Sequence, residues 1–139
     1  MIVIAPTDEP EVCYALRHRV FVEEQGYTVE GEVDDLDPHS HHLLALDGET
    51  PVATARIYLD GPTARIGRVC VLKSHRGQGL GADLITAAVQ LAGAHPGISR
   101  AVLGAQAHAT GFYGKLGFTA FGAPYDDEGE PHQMMERPL

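Results

Sequence analysis

The chain has 139 residues, 44% of them apolar, with ten basic residues against nineteen acidic ones and a formal charge of −9. That length and apolar share describe one globular domain with enough chain to bury a core, and they exclude a disordered one. The acidic balance argues against nucleic acid as a partner, because duplex binding needs Lys and Arg to neutralise phosphates; it is compatible with cationic substrates such as amines. Two cysteines, Cys13 and Cys70, are too few for a disulfide scaffold and form no C-x-x-C pair. Met1 leads straight into Ile2-Val3-Ile4 with no basic segment, long apolar run or cleavage site, so a cytoplasmic protein without membrane association is expected.

Ile2 to Ala5 reads as a short strand. Thr7 or Asp8 can cap the helix that follows, with Pro10 near its start. The helix is expected to run to about Gln25, where Gly26 stops it, with Val12, Leu16, Val20 and Phe21 as its apolar stripe. Tyr27 to Ser40 is polar and acidic and reads as a loop with room for one helical turn. His42 to Asp47 and Val52 to Leu59 are strands joined through Asp47-Gly48-Glu49, a hairpin signal. Ala64 to Leu72 completes the meander. His75-Arg76-Gly77-Gln78-Gly79-Leu80-Gly81 then turns into a helix from about Gly79 to Gly93, with Leu80, Leu84, Ile85, Ala88, Val89 and Leu91 or Ala92 on its apolar face. Arg100 to Ala105 is the next strand, Ala107 to Leu116 a short helix, and Phe118 to Gly122 and His132 to Arg137 the last two strands, around an acidic loop from Tyr125 to Pro131.

The order is therefore β-α-β-β-β-α-β-α-β-β. The strand, glycine turn, helix and strand in the middle form a βαβ unit, locally parallel in a sheet that is otherwise antiparallel. The glycines at 77, 79 and 81 leave backbone N–H groups bare at a helix N-terminus, a pocket for phosphate oxygens. A nucleotide P-loop is a poor fit, because Gly81-Ala82-Asp83 lacks the Lys and hydroxyl of that motif. A dinucleotide fold is also poor, since three strands precede the turn.

Three stretches resemble the GNAT superfamily of acyl-CoA-dependent N-acetyltransferases. Gly67 to Leu72 followed by Arg76-Gly77-Gln78-Gly79-Leu80-Gly81 is similar to that family's cofactor motif, and Gly111-Phe112-Tyr113-Gly114-Lys115-Leu116-Gly117-Phe118 to its closing motif. Leu16 to Gly26, with Ala105-Gln106-Ala107-His108 and Glu130-Pro131-His132, resembles the ElaA-like subgroup. The resemblance covers essentially the whole chain. It implies an α/β fold with a mixed, mostly antiparallel seven-stranded sheet, helices on both faces, and a gap where the strands flanking the glycine turn diverge. It implies acetyl transfer from acetyl-CoA, as cosubstrate and with no metal, to the amine of a small molecule or peptide. A homodimer is also expected. The alternative is an acyl-CoA sensor or scaffold without turnover.

In this resemblance the backbones of Val69, Cys70 and Val71 receive the pantetheine arm as an added strand. Arg76, Gly77, Gln78, Gly79, Leu80, Gly81 and Ala82 hold the phosphates, and Gln106 stands where many members carry an Asn that holds the cofactor. Tyr113 is the acid. A thiolate of pKa roughly 8–10 leaves better when a hydroxyl donates to its sulfur. Phe112 and Phe118 read as core, and Cys70 as a small core residue instead of a nucleophile. The general base is open among Glu24, Glu32, Asp35, His42 and His108. Arg17, Phe21, Glu24 and Gln25 share a helix face at helical spacing; with Asp35 in the loop, Arg17, Phe21 and Glu24 are the expected acceptor-binding residues.

Overall fold

The computed structural model describes residues 1–139. Eight strands form one sheet: β1 (Ile2–Thr7), β2 (His41–Asp47), β3 (Thr50–Asp60), β4 (Thr63–Val71), β5 (Arg100–Gln106), β6 (Thr119–Ala120), β7 (Tyr125–Asp127) and β8 (Glu130–Pro138). Their order is β1-β2-β3-β4-β5-β8-β6, with β7 also on β8. Only β4 and β5 run parallel, as the βαβ reading requires. The eighth strand is the acidic segment expected to be loop: Tyr125–Asp127 pairs back onto His132, Pro131 and Glu130 through the left-handed residues Glu128 and Gly129. The strand expected over Phe118–Gly122 shrinks to two residues, because the Gln133 side-chain amide donates to the Phe121 and Gly122 carbonyls, at 2.8 and 3.2 Å.

Helix α3 (Leu80–Gly93) covers one face of the sheet. Leu80, Leu84, Ile85, Ala88, Val89 and Ala92 all face inward against Val52, Ile57, Ile66, Leu103, Phe118 and Met135, so the 3.6-residue spacing of the sequence becomes a continuous core. Helix α1 (Pro10–Arg17) lies on the opposite face, where Cys13, Leu16 and Val20 pack on Leu44, Cys70 and Leu72. Pro10 starts it, and the Thr7 hydroxyl accepts the Glu9 N–H at 3.1 Å.

The helix does not stay α-helical to its end. From His18 to Glu24 it is π-helical, with i to i−5 closure such as Gln25 N–H to the Val20 carbonyl, 3.0 Å. A π turn holds more residues than an α turn, so side chains beyond it rotate out of the phase the sequence spacing sets. The acceptor face expected from Arg17, Phe21, Glu24 and Gln25 is thereby broken apart. A single turn, α2 (Val29–Glu32), and the short helix α4 (Thr110–Lys115) complete the fold. No helix is long and apolar enough to cross a membrane.

Candidate active site

The sheet opens between β4 and β5. Their pairing covers only Thr63–Arg65 against Arg100–Val102. Beyond it, Ile66–Val71 and Leu103–Gln106 present backbone edges to each other with no strand between. A β-bulge helps drive them apart. Thr54 pairs with Cys70 and Arg56 with Gly67, so Arg68 and Val69 face a single residue of β3. The bulge puts Arg68 at φ +50°, a conformation costing on the order of 1–3 kcal/mol in a residue with a side chain. The Arg68 guanidinium anchors it, donating to the Glu32 carbonyl at 3.0 Å, the Gly31 carbonyl at 3.1 Å and Asp34 Oδ2 at 3.2 Å.

Two cavities follow this opening. The first, of about 370 Å³, lies in the wedge itself, with Val69 and Arg68 on one wall, Gly104 and Gln106 on the other, and Phe21, Tyr113 and His132 around them. The second, of about 340 Å³, sits at the start of α3, lined by Val71, Arg76, Gly77, Gly79, Leu80, Gly81, Ala82 and Phe112. In this second cavity the expected glycine turn is laid out for an anion. Gly77 and Gly79 have φ of +80° and +81°, and a Cβ on either would meet no protein atom within 4 Å, so it would stand in open space above the backbone. No side chain caps α3. Its first-turn N–H groups, on Leu80, Gly81 and Ala82, have no partner within the helix and carry its positive dipole end. A diphosphate fits these donors.

Arg76 braces the turn. Its Nε donates to the Val71 carbonyl at 2.9 Å, and Nη1 and Nη2 pair with the two Glu24 oxygens at 2.6 and 2.7 Å. The hydrogen bonds from Arg76 hold the Glu24 carboxyl below its usual pKa. Glu24 is expected on the acceptor side and is found instead beside the glycine turn. Phe112, expected in the core, is 41% exposed and closes the same cavity, its ring against Gly81. Phe118 is buried as expected.

Tyr113 sits in the wedge, half-buried, with its ring edge-on to Phe112 and Phe118. Burial raises its phenol above the ordinary value of 10, so it is a proton donor at neutral pH. Cys70 is buried against α1 and its thiol is pushed up to about 12 by burial; a thiol so protonated is no nucleophile at neutral pH. Gln106 lines the wedge, donating to Gln25 Oε1 at 3.2 Å and accepting from His108 Nε2 at 2.9 Å. Gln78 lies at the exposed apex of the turn and does not line the cavity.

Arg17 is the clearest correction. It was expected on the acceptor surface and is completely buried. Its Nε donates to both Glu32 oxygens, at 2.9 and 3.1 Å, Nη1 to Asp37 Oδ1 at 2.7 Å, and Nη2 to the Glu32 carbonyl at 2.7 Å. Arg56 adds bonds to Asp34 and Asp37, at 2.7 and 3.2 Å. Three arginines, 17, 56 and 68, thus meet three carboxylates, Glu32, Asp34 and Asp37, and pin the segment from Val29 to His39 under the wedge. Burial pushes the Asp37 carboxyl up, but hydrogen bonds from Arg17 and the Asp34 amide, with the charges of Arg17 and Arg56, outweigh it and hold it at about 2. Asp35, the other expected acceptor residue, is exposed and outside both cavities. Of the expected acceptor residues Arg17, Phe21, Glu24 and Asp35, only Phe21 lines the wedge, joined by Gln25 from the same expected helix face.

Sequence reasoning missed the roof of the wedge. The β7–β8 hairpin reaches across to the end of the π-helical segment: Glu128 Oε1 accepts the Thr28 N–H at 3.1 Å and Oε2 the Thr28 hydroxyl at 3.4 Å. Beneath it the Tyr125 hydroxyl lies on Gly104, at a distance that leaves no room for a Cβ there. The signal was present in the pairing of a glycine inside a strand with a tyrosine about twenty residues on, but nothing local connects them.

The Acetyltransferase (GNAT) family matches residues 8–118. The chain is 39% identical over 137 residues to the uncharacterized N-acetyltransferase YjcF of Bacillus subtilis, covering 96% of this chain and 97% of that one. Among solved structures, it is similar to an acyl-CoA N-acyltransferase from Pseudomonas aeruginosa, with a TM-score of 0.89 and 32% identity over 99% of both chains. It is likewise similar to Escherichia coli ElaA, with a TM-score of 0.88 and 30% identity over 99% of both. The fold is thus shared along essentially the whole chain, which belongs to the GNAT family of acetyltransferases.

Proposed function

We infer that this acetyltransferase moves an acetyl group from acetyl-CoA to the primary amine of a small molecule or peptide, by direct attack with both substrates bound. The observation that carries this reading is continuity. The glycine cavity at the start of α3 adjoins the free edge of β4 at Val71, and that edge runs past Cys70 and Val69 into the wedge that holds Tyr113. Phosphates on the first-turn N–H groups, an amide-bearing arm along Val71 to Val69 and a thioester beside Tyr113 form one path.

Each group on the path has one task. The α3 N-terminus neutralises the diphosphate with backbone donors, so no lysine is needed. The unpaired β4 edge offers peptide-like hydrogen bonds to the arm. The Tyr113 phenol, protonated by its burial, donates to the departing sulfur as the C–N bond forms and the C–S bond breaks. The acidic surface and the acidic roof at Asp127 and Glu128 favour a cationic acceptor.

Release of free thiol from acetyl-CoA tests this, with putrescine, spermidine, phenethylamine, lysine, glucosamine and a peptide with a free N-terminus as acceptors. Turnover with at least one of them is expected. No turnover with any, together with no rise in Tm at millimolar acetyl-CoA, would sink the reading, because a bound ligand must stabilise the native state.

A further inference from the structure

Resting on that reading, we propose that His132 is the base that takes the acceptor amine's proton, working across the cleft from Tyr113.

The placement follows from strand alternation. On β5, Leu103 and Ala105 point to the α3 face and join the core on which Tyr113 packs. Gly104 and Gln106 point the other way. Their partners on β8 are Met134 and His132, and the Tyr125 hydroxyl covers Gly104 on this same side. His132 therefore enters the wedge from the face that carries the π-helical segment and the roof, while Tyr113 enters from the face that carries the phosphate turn. A thioester threaded from the α3 side presents its sulfur to Tyr113. The open face of its carbonyl is turned toward His132, which is where an incoming amine stands.

The imidazole is set for this role. Its Nδ1 lies 2.9 Å from the Glu130 carbonyl oxygen. A carbonyl can only accept, so Nδ1 carries the proton and the lone pair of the neutral ring is on Nε2. The ring packs against Tyr125 at 5.5 Å between centroids, fixing its plane. Nε2 has no protein partner, and yet it is not sealed: the one fully buried side-chain nitrogen or oxygen left without a partner is Nδ1 of His42. Nε2 of His132 thus keeps access to solvent, and the residue lines the wedge cavity. The residue as a whole is 93% covered (7% exposed), so its one free nitrogen is directed and not splayed in solvent.

The five candidates read from the sequence are held or placed elsewhere. Glu24 is clamped by Arg76, Asp35 lies outside the wedge, and Glu32 is held by Arg17 and Arg68. His42 donates from Nε2 to the Asp37 carbonyl, and its other nitrogen is sealed. His108 is exposed, donates from Nε2 to Gln106 and does not line the wedge.

The step balances. The amine nitrogen bonds to the carbonyl carbon and its proton passes to His132 Nε2. The C–S bond then breaks, and the sulfur takes the phenolic proton of Tyr113. The imidazolium loses its proton to solvent and the phenolate regains one.

The test uses the full chain with acetyl-CoA and the acceptor amine panel above. His132→Gln is expected to lower kcat/KM for the amine by about 100-fold or more, while the rise in Tm on adding acetyl-CoA stays that of the wild type. His132→Ala is expected to recover activity on adding free imidazole. Nitrogen-15 NMR of the unsubstituted protein, which depends on no variant folding, should show the His132 ring protonated on Nδ1. Wild-type rates in His132→Gln, no rescue of a folded His132→Ala, or a ring protonated on Nε2 would each overturn the proposal while leaving acetyl transfer intact. A wild-type enzyme inert toward every amine removes the function and this role together.

Discussion

Arg76 and Glu24 form a bidentate pair, with Nη1–Oε2 at 2.6 Å and Nη2–Oε1 at 2.7 Å, that ties the glycine turn to the last turn of the π-helical segment. The two residues are 52 positions apart and both are partly exposed. An exposed pair of this kind adds only about 0–1 kcal/mol to stability. Arg76→Ala should therefore leave Tm nearly unchanged. It should raise the Kd for acetyl-CoA by about tenfold, on the order of 1.4 kcal/mol, because the Nε bond to the Val71 carbonyl is lost and the turn loosens. Calorimetry that returns an unchanged Kd would show that the turn keeps its shape without this brace.

Gly79→Ala separates backbone strain from lost binding. At φ +81° a Cβ costs about 1–2 kcal/mol, and Gly79 also lines the cavity at the start of α3. Gly97→Ala is the control. It has φ +86°, nothing within 4 Å, and a place beyond the far end of α3. Both variants should lose similar stability in denaturant melts, and only Gly79→Ala should lose affinity for coenzyme A. Equal affinities would remove the turn from the binding site.

Tyr113→Phe keeps the packing on Phe112 and Phe118 and removes only the hydroxyl. Thiol release should fall by about 100-fold with little change in Tm. Burial raises the phenol pKa above 10, so Tyr113 stays protonated through the neutral range. The loss of activity that comes from its ionisation lies above pH 10 in the wild type, and should vanish from the pH profile of the variant. A wild-type rate in Tyr113→Phe would rule out its role as the acid.

Asp37 makes acid stability predictable in sign. Its folded pKa of about 2 lies below the ordinary 3.8. Its stabilisation is thus complete above pH 3.8, declines as pH falls toward 2, and is gone below. The shift corresponds to on the order of 2 kcal/mol. Arg17→Met should cost more, about 3–5 kcal/mol, since it removes the buried partner that Glu32 and Asp37 share and leaves each with one arginine, Arg68 and Arg56. Urea melts of Arg17→Met at neutral pH and of the wild type from pH 5 to 2 check both. A stable Arg17→Met variant would mean that the three-arginine network contributes order and little energy.

The fold was legible in the sequence where structure is local. The α3 stripe is a periodicity, the β2–β3 hairpin is marked by Asp47-Gly48, and the glycine turn needs a left-handed backbone at 77 and 79 that few other residues adopt. What stayed hidden is tertiary. Arg17 looks like a surface helix residue, since nothing near it announces that Glu32 and Asp37, 15 and 20 positions away, will neutralise it in the core. The acceptor face was misplaced because a 3.6-residue period was carried through a stretch that winds as a π-helix. The roof was missed because Tyr125-Asp126-Asp127 has the composition of a loop, and becomes a strand only by pairing with β8. Glu130-Pro131-His132 stood out in the sequence only as part of a resemblance; the role proposed for His132 rests on the Glu130 carbonyl at its Nδ1, a contact the residue pattern does not reveal.

Strand edges without partners are where proteins stick to their own copies. Here the unpaired edges of β4 and β5 face each other inside a wedge, and the Thr28–Glu128 bridge spans its mouth. A second folded molecule has no straight approach along which to lay a strand, whereas one slender extended chain can slide between. Recessing the edges thus lets the domain keep a ready hydrogen-bonding template in water without turning it into a seed for self-association.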